Sequence, residues 1–301
     1  MSLVVTGAVG IDKVETPTGS ASEVVGGSGV YFPAAASYFT RPRVVSVVGE
    51  DFLDEHVAVF DQFDIDRAGL ERRAGSKSFR WHGKYHDNMN DRDTLGIELG
   101  VLAEAPPPLP DAYADSDYVF LAVDQPINQL ALLDKLPQRK LAVMDTIDLY
   151  IETQRDGVVD VIGRVDGVIV NDSEAMMLTG ERDAVKAAEA IATMGPAFVV
   201  VKKGEHGVIA RHADGWAALP AFPSDKVVDP TGAGDSFAGA MMGHFAATGG
   251  DTSLANLRKA LAYGTVVASF NIEDFSLGRM IGLTREEIDG RFGEFTGMLK
   301  V

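Results

Sequence analysis

A chain of 301 residues with 46% hydrophobic side chains has enough apolar material for one large α/β domain, alone or with a small appendage. Its formal charge of −17 argues against a nucleic-acid binder, and the absence of cysteine excludes disulfides, thiolate nucleophiles and cysteine–zinc sites, as suits a reducing cytoplasm. Apolar runs such as Phe198–Val201 are too short to cross a bilayer, and no basic-then-apolar leader opens the sequence.

Leu3–Gly7 reads as a short buried strand, and Gly26-Gly27-Ser28-Gly29 opens an alanine-rich helix over Val30–Phe39. A second buried strand follows at Val44–Val48 and a helix at Asp54–Phe63. Between Ser78 and His86 the period changes to two: Phe79, Trp81 and Tyr85 alternate with Arg80, His82, Lys84 and His86. That pattern predicts a strand with an aromatic and a basic face, in a small sheet attached to the main body. Leu95–Leu102 is its expected partner strand, and Pro106-Pro107-Pro108 marks the return to the body. From Asp117 onward, apolar strands at Tyr118–Val123, Leu141–Met144, Val168–Val170 and Phe198–Val201 alternate with helices. The helices are expected near Asn128–Leu136, Asp148–Arg155, Asp172–Leu178 and Asp183–Met194, and helical pattern dominates after Gly234. Such alternation predicts a mostly parallel sheet covered by helices on both faces.

The most informative stretch runs Val227-Val228-Asp229-Pro230-Thr231-Gly232-Ala233-Gly234-Asp235-Ser236-Phe237. A short apolar segment enters a glycine-rich turn and then a helix, whose free N–H groups form an anion cradle without a basic side chain. An aspartate in such a cradle would repel a phosphate unless it had a task. Asp235 is therefore a candidate general base, expected to be kept ionised by the helix dipole. Alone, a Gly-x-Gly turn with an aspartate at a helix start is the commoner, purely structural reading.

The longer string resembles the signature of the ribokinase-like carbohydrate kinases, the PfkB family. The resemblance implies a three-layer α/β/α fold over 1–301 as a single kinase domain, with lid segments around 12–25 and 78–102. It implies Asp235 as catalytic base, with Gly232, Ala233 and Gly234 forming the anion hole. Asn171 and Glu174 match the family's Asn-x-x-Glu pair, which implies magnesium and phosphate placement, with Glu174 acting on Mg²⁺ through water. Without that resemblance the segment is a routine helix cap. Lys202-Lys203-Gly204-Glu205-His206-Gly207 is similar to the turn beside the nucleotide, implying ATP contacts from Lys202, Gly204 and Gly207, with Thr231 added from the signature string. Gly7-Ala8-Val9-Gly10-Ile11-Asp12 looks like the first strand with its substrate-binding aspartate, and Gly26-Gly27 like the paired glycines against the substrate. Tyr31 stands where the family usually has a sugar-binding asparagine, and Pro230 where ribokinases usually have threonine. The first departure separates this chain from a ribose-specific pattern; neither touches the transfer machinery. The resemblance leaves open a monovalent cation, a homodimer through the lid, and lid contacts from Asn90, Arg92 and Asp93.

The implied activity is transfer of the γ-phosphate of ATP to a hydroxyl of a sugar or sugar-like substrate. A nucleoside kinase is the alternative enzyme, and a catalytically silent sugar-binding regulator the alternative of another class. No Gly-x-x-x-x-Gly-Lys-Ser/Thr occurs, which excludes a P-loop kinase. Asp87-Asn88-Met89-Asn90-Asp91-Arg92 fails as a calcium loop, with Met89 at a ligand position and Arg92 at the turn glycine. His82 and His86 lie on a strand-like segment without His-Glu-x-x-His, a poor zinc pattern.

Overall fold

Alternating side chains of a few short β-branched strands define the interior, as the computed structural model, which describes residues 2–300, makes plain. Val5, Val143, Ile169 and Val200 enter one core, while Val4, Ala142, Val168 and Val199 enter another on the opposite face. A sheet buried on both faces needs apolar residues at every position, which is why its strands read as continuous runs.

In chain order the first elements are β1 (Leu3–Thr6), β2 (Gly10–Thr16), β3 (Gly19–Gly26), α1 (Ser28–Ser37), β4 (Pro42–Gly49) and α2 (Asp54–Gln62). Then come β5 (Asp66–Arg73), β6 (Phe79–Tyr85), β7 (Arg92–Glu98), β8 (Tyr118–Leu121), α3 (Pro126–Lys135) and β9 (Leu141–Met144). The second half continues with α4 (Asp148–Thr153), α5 (Arg155–Ile162), β10 (Gly167–Asn171), α6 (Asp172–Thr179), α7 (Ala184–Ala192) and β11 (Phe198–Lys202). It closes with β12 (Val208–His212), β13 (Gly215–Leu219), α8 (Ala233–Ala247), α9 (Leu254–Asn271) and α10 (Arg285–Met298).

Nine strands form the main sheet in the order β13-β12-β11-β10-β9-β8-β1-β4-β5. Pairings from β11 through β5 are parallel, and β12 and β13 add an antiparallel hairpin at one edge. Helices α1, α8, α9 and α10 cover one face and α3 to α7 the other, giving three layers. The second sheet has the order β3-β2-β6-β7 and joins the N-terminal excursion to the aromatic–basic segment, with β2 and β6 parallel. Among the described residues no helix is long and apolar enough to cross a membrane.

Several local expectations need correction. The partner of β6 spans Arg92–Glu98 rather than Leu95–Leu102, and Gly100–Ala103 is a tight 3-10 turn. Gly100 has a φ of 48°, and its backbone abuts the Lys77 and Ser78 carbonyls, so the chain has already turned into the body there. β5 escaped the sequence reading because Asp66–Arg73 is an edge strand carrying four charged side chains in its eight residues beside Asp66 itself. The hairpin β12–β13 and the short helix α5 were likewise not anticipated.

Candidate active site

Asp229, almost fully buried at 1% exposure, shapes the loop that leads into α8. Its Oδ1 accepts the Thr231 N–H at 2.9 Å and its Oδ2 the Ser276 N–H at 3.3 Å. Asn271, at the end of α9, donates from Nδ2 to the Thr231 carbonyl at 2.8 Å and accepts the Ser236 hydroxyl at 3.1 Å. Pinned from both sides, the chain reaches Gly232 with a φ of 75°, and Gly232 becomes the N-cap of α8. A side chain there would fall inside the ring of Tyr31, so only glycine fits both the conformation and the contact.

The first turn of α8 then presents donors. Ala233 N–H turns back to the Pro230 carbonyl at 3.2 Å. The N–H groups of Gly232, Gly234 and Asp235 have no acceptor among the described residues. Free N–H groups at the positive end of a 15-residue helix form an anion cradle. The Asp235 carboxylate also makes no hydrogen bond among the described residues.

Burial, and next the charge of Asp145, push the Asp235 carboxyl up to about 7, against the opposing pull of Lys202 and Arg92. The helix dipole, expected to hold Asp235 ionised, is thus opposed by burial and by Asp145, both of which disfavour the charged form.

Two groups of residues flank Asp235. On one side, β2 carries Asp12, 4% exposed, whose Oδ1 is buried without a hydrogen-bond partner. Any side chain on Gly26 would overlap the Asp12 carboxylate, so this glycine makes room for the acid. Burial first, then the charges of Asp229 and Asp235, raise the Asp12 carboxyl to about 7. Beside it the Tyr31 hydroxyl is also buried and meets no hydrogen-bond geometry among the described residues, although the Ser276 side chain is close enough to lower its pKa; burial first, then Asp12 and Asp229, push that pKa up. Thr231 Oγ1 donates to the Tyr85 oxygen of β6 at 3.3 Å, so Thr231 faces the small sheet. Gly27, with a φ of 97°, packs on the Ala8 carbonyl.

On the other side, parallel strands bring their carboxyl ends together. Lys202 lies opposite Asn171 in the β10–β11 register. Its Nζ is 3.3 Å from Asp145 Oδ2, just past the end of β9, and 3.2 Å from where a Cβ of Gly234 would stand. Asn171 and Glu174 form a reciprocal capping box, each side chain accepting the other's N–H at 2.8 Å. The ordinary cap is thus real, yet Glu174 Oε1 takes no hydrogen bond among the described residues. Burial and Asp145 raise the Glu174 carboxyl, while Lys202 opposes them. Gly204, φ 54°, and Gly207, φ 84°, form the turn after β11. A side chain on Gly207 would strike the Leu219 carbonyl, which gives that glycine a packing reason of its own.

Asp145 and Asn271 were missed from sequence. Asp145 had a usable signal, since it directly follows an apolar strand at the carboxyl edge of a parallel sheet, where ligands bind. Asn271 had none, sitting inside a helix 40 residues from the carbonyl it holds. The open depression of about 430 Å³ lined by Val48, Asp54, Arg67 and Arg72 lies elsewhere, at the β4–β5 edge. Its charges are spent in the pairs Arg72–Asp54 and Arg67–Asp61.

The three-layer α/β/α body and small second sheet carry a carboxylate at a helix N-terminus, and the family that this chain matches consists of phosphotransferases acting on hydroxyl groups. The chain matches the model of the pfkB family carbohydrate kinases over residues 11–281 and belongs to that family. It is 30% identical to a cytidine kinase of Thermococcus kodakarensis over 249 residues, which cover 80% of this chain and 87% of the relative. A nucleoside kinase of Burkholderia thailandensis, solved with inosine, superposes with a TM-score of 0.80 at 20% identity, covering 98% of each chain. A candidate ribokinase II of E. coli, solved with ATP and Mg²⁺, gives 0.77 at 16% identity, covering 97% of this chain and 99% of its own.

Proposed function

We propose that this chain transfers the γ-phosphate of ATP to a hydroxyl of a sugar ring, with Asp235 as general base. The supporting observation is the position of Asp235: at the free N-terminus of α8, between a cluster holding Asp12 and Tyr31 and a cluster holding Lys202, Asp145 and Glu174. The first cluster offers an acceptor and a phenol to an uncharged polyol. The second offers donors and a fixed cation to a polyanion.

These residues fit a nucleotide triphosphate with its magnesium. Among the described residues the N–H groups of Gly232, Gly234 and Asp235 lack acceptors and Glu174 keeps one oxygen uncommitted, while Gly234 leaves space beside Lys202. Glu174 and Asp145 would hold Mg²⁺ through water, and the ion would neutralise phosphate charge. Asp12 orients the acceptor, Asp235 takes the hydroxyl proton as the oxygen attacks, and the helix N–H groups stabilise charge gathering on the transferring group. The sheet β3-β2-β6-β7 serves as a lid that excludes water and keeps hydrolysis from competing.

Among sugar-bearing acceptors, nucleosides are the favoured class, because the 30%-identical relative is a cytidine kinase over most of both chains. The lid's outer strand β7 exposes Leu95 and Ile97, which supports pairing with a second copy there. An ATP-consumption screen across nucleosides, free sugars and inositols tests the reading, with Asp235→Asn as the control. Turnover of a nucleoside well above all free sugars supports it. No turnover of any polyol would return the chain to the class of silent binding proteins.

A further inference from the structure

The small sheet has two unlike faces, and one carries an aromatic ring that the transfer chemistry does not use. On the other, Arg80 pairs with Glu23 at 2.8 Å and His82 with Glu15 at 2.8 Å, so these basic side chains of β6 are spent in ion pairs. Asp12 and Trp81 stand directly opposite each other in the parallel β2–β6 register. Side chains paired in this way rise from the same side of neighbouring strands, ~4.8 Å apart. Tyr85, on the same side of β6 as Trp81, meets Thr231 beside the anion cradle, so this face is turned into the site. The Trp81 ring leans over Gly83, where a Cβ would fall 2.1 and 2.2 Å from two of its carbons; the glycine gives the indole its seat. Its Nε1 donates to Thr94 Oγ1 of β7 at 3.3 Å, which fixes the rotation of the ring. Trp81 is only half-buried, and no other ring or guanidinium stacks on it among the described residues. A large apolar ring, seated, oriented and left open one strand from a buried carboxylate, is suited to a ligand with a flat face.

We infer that Trp81 is a specificity residue: its indole is the platform on which the base of a nucleoside acceptor stacks while Asp12 holds the sugar hydroxyls. This rests on the kinase reading above and gives the means by which a nucleoside is told from a free sugar. A pentose held at Asp12 ends there, and only a substituent on it extends across the ~4.8 Å to the next strand. The indole N–H is already taken by Thr94, so Trp81 offers its π face and no hydrogen bond. Every nucleobase has a matching face, which means that Trp81 reads the presence of a base and not its identity. The stacked base is remote from the hydroxyl that meets Asp235, so the contact contributes to binding of the acceptor and not to the transfer step.

The chain has two tryptophans, so in a Trp216→Phe background the indole fluorescence reports Trp81 alone. Trp216 lies on β13 beside Arg211, in the other sheet. Cytidine and adenosine should quench that fluorescence saturably, with excitation at the red edge of indole absorption, and ribose should leave it unchanged. In steady-state kinetics Trp81→Leu should raise the KM for a nucleoside about tenfold or more, the usual effect of losing one base–aromatic stack. Its kcat, and its kcat/KM for ribose, should stay within a few-fold of wild type, and Trp81→Phe should recover most of the loss. The fluorescence test leaves residue 81 intact, so it decides even where Trp81→Leu fails to fold. A Trp81 signal that ignores a nucleoside the chain phosphorylates overturns the inference while the kinase reading stands. So does an equal loss toward nucleosides and ribose in Trp81→Leu, or quenching that follows protein concentration and not nucleoside, which would put a second copy over the ring. A wild-type chain that phosphorylates no acceptor overturns the kinase reading; saturable quenching by nucleosides would still uphold the stacking site, and its absence would overturn both.

Discussion

Two clusters of residues meet at Asp235 and are built on opposite electrostatic plans. On the acceptor side Asp12, Asp229, Tyr31 and Tyr85 crowd together, and two buried polar atoms, Asp12 Oδ1 and the Tyr31 hydroxyl, lack hydrogen-bond partners among the described residues. On the phosphate side Asp145 and Glu174 share Lys202, and a helix N-terminus adds free donors. Unpartnered groups are costly in a closed protein and useful where a polyol will supply the missing hydrogen bonds. A built-in cation is useful where a polyanion must be held inside a chain of net charge −17. Burial raises carboxyl pKa values on both sides of Asp235, whereas the sheet-borne cation, Lys202, stands on one side only.

The sharpest way to break this comparison is at the shared residue. Asp235→Asn should lower kcat by about 10²–10⁴-fold while ATP affinity, measured by calorimetry, changes little. Activity within a few-fold of wild type would remove Asp235 from the role of base. With its carboxyl near 7, wild-type turnover should also rise with pH through about 7 and then level off.

On the phosphate side, Lys202→Met leaves Asp145 buried beside no cation. Breaking such a pair costs about 3–5 kcal/mol, visible as a lower denaturation midpoint. The double variant Lys202→Met/Asp145→Asn should regain most of that stability but not the activity. If the single variant unfolds like wild type, the pair contributes little to the fold.

The acceptor side should respond in the opposite sense. The Asp12 and Asp235 carboxyls sit at about 7 in the folded chain against an ordinary value of 3.8, so the folded state holds more protons between these limits. The stability from these groups is fully present below about pH 4, falls as pH rises through about 7, and is level above that. Asp12→Asn should flatten that decline and raise the unfolding midpoint at pH 8. A steeper decline in the variant would mean that Asp12 is stabilised as a carboxylate.

The smallest effect is expected at Tyr31. Removing its unpartnered hydroxyl in Tyr31→Phe should stabilise the ligand-free chain by about 1 kcal/mol and raise the acceptor KM several-fold. A variant less stable than wild type would show that the hydroxyl has a partner in solution.

The sequence by itself determined the three-layer class and the location of the cradle. Both are local: β-branched runs bounded by turns record a sheet buried on two faces, and Gly232-Ala233-Gly234-Asp235 encodes a turn and a helix start within four residues. Tertiary structure alone decided what those residues face. Lys202, read from its hexapeptide as part of a nucleotide turn, points inward to Asp145, 57 positions away. Thr231, read as a nucleotide contact, donates to Tyr85 of the small sheet across 146 positions. The Asp235 carboxyl, expected to be held ionised by its helix, is raised instead by burial and by Asp145. A helix dipole can be inferred from four residues, but desolvation depends on every element that closes over them, and only the assembled fold supplies that.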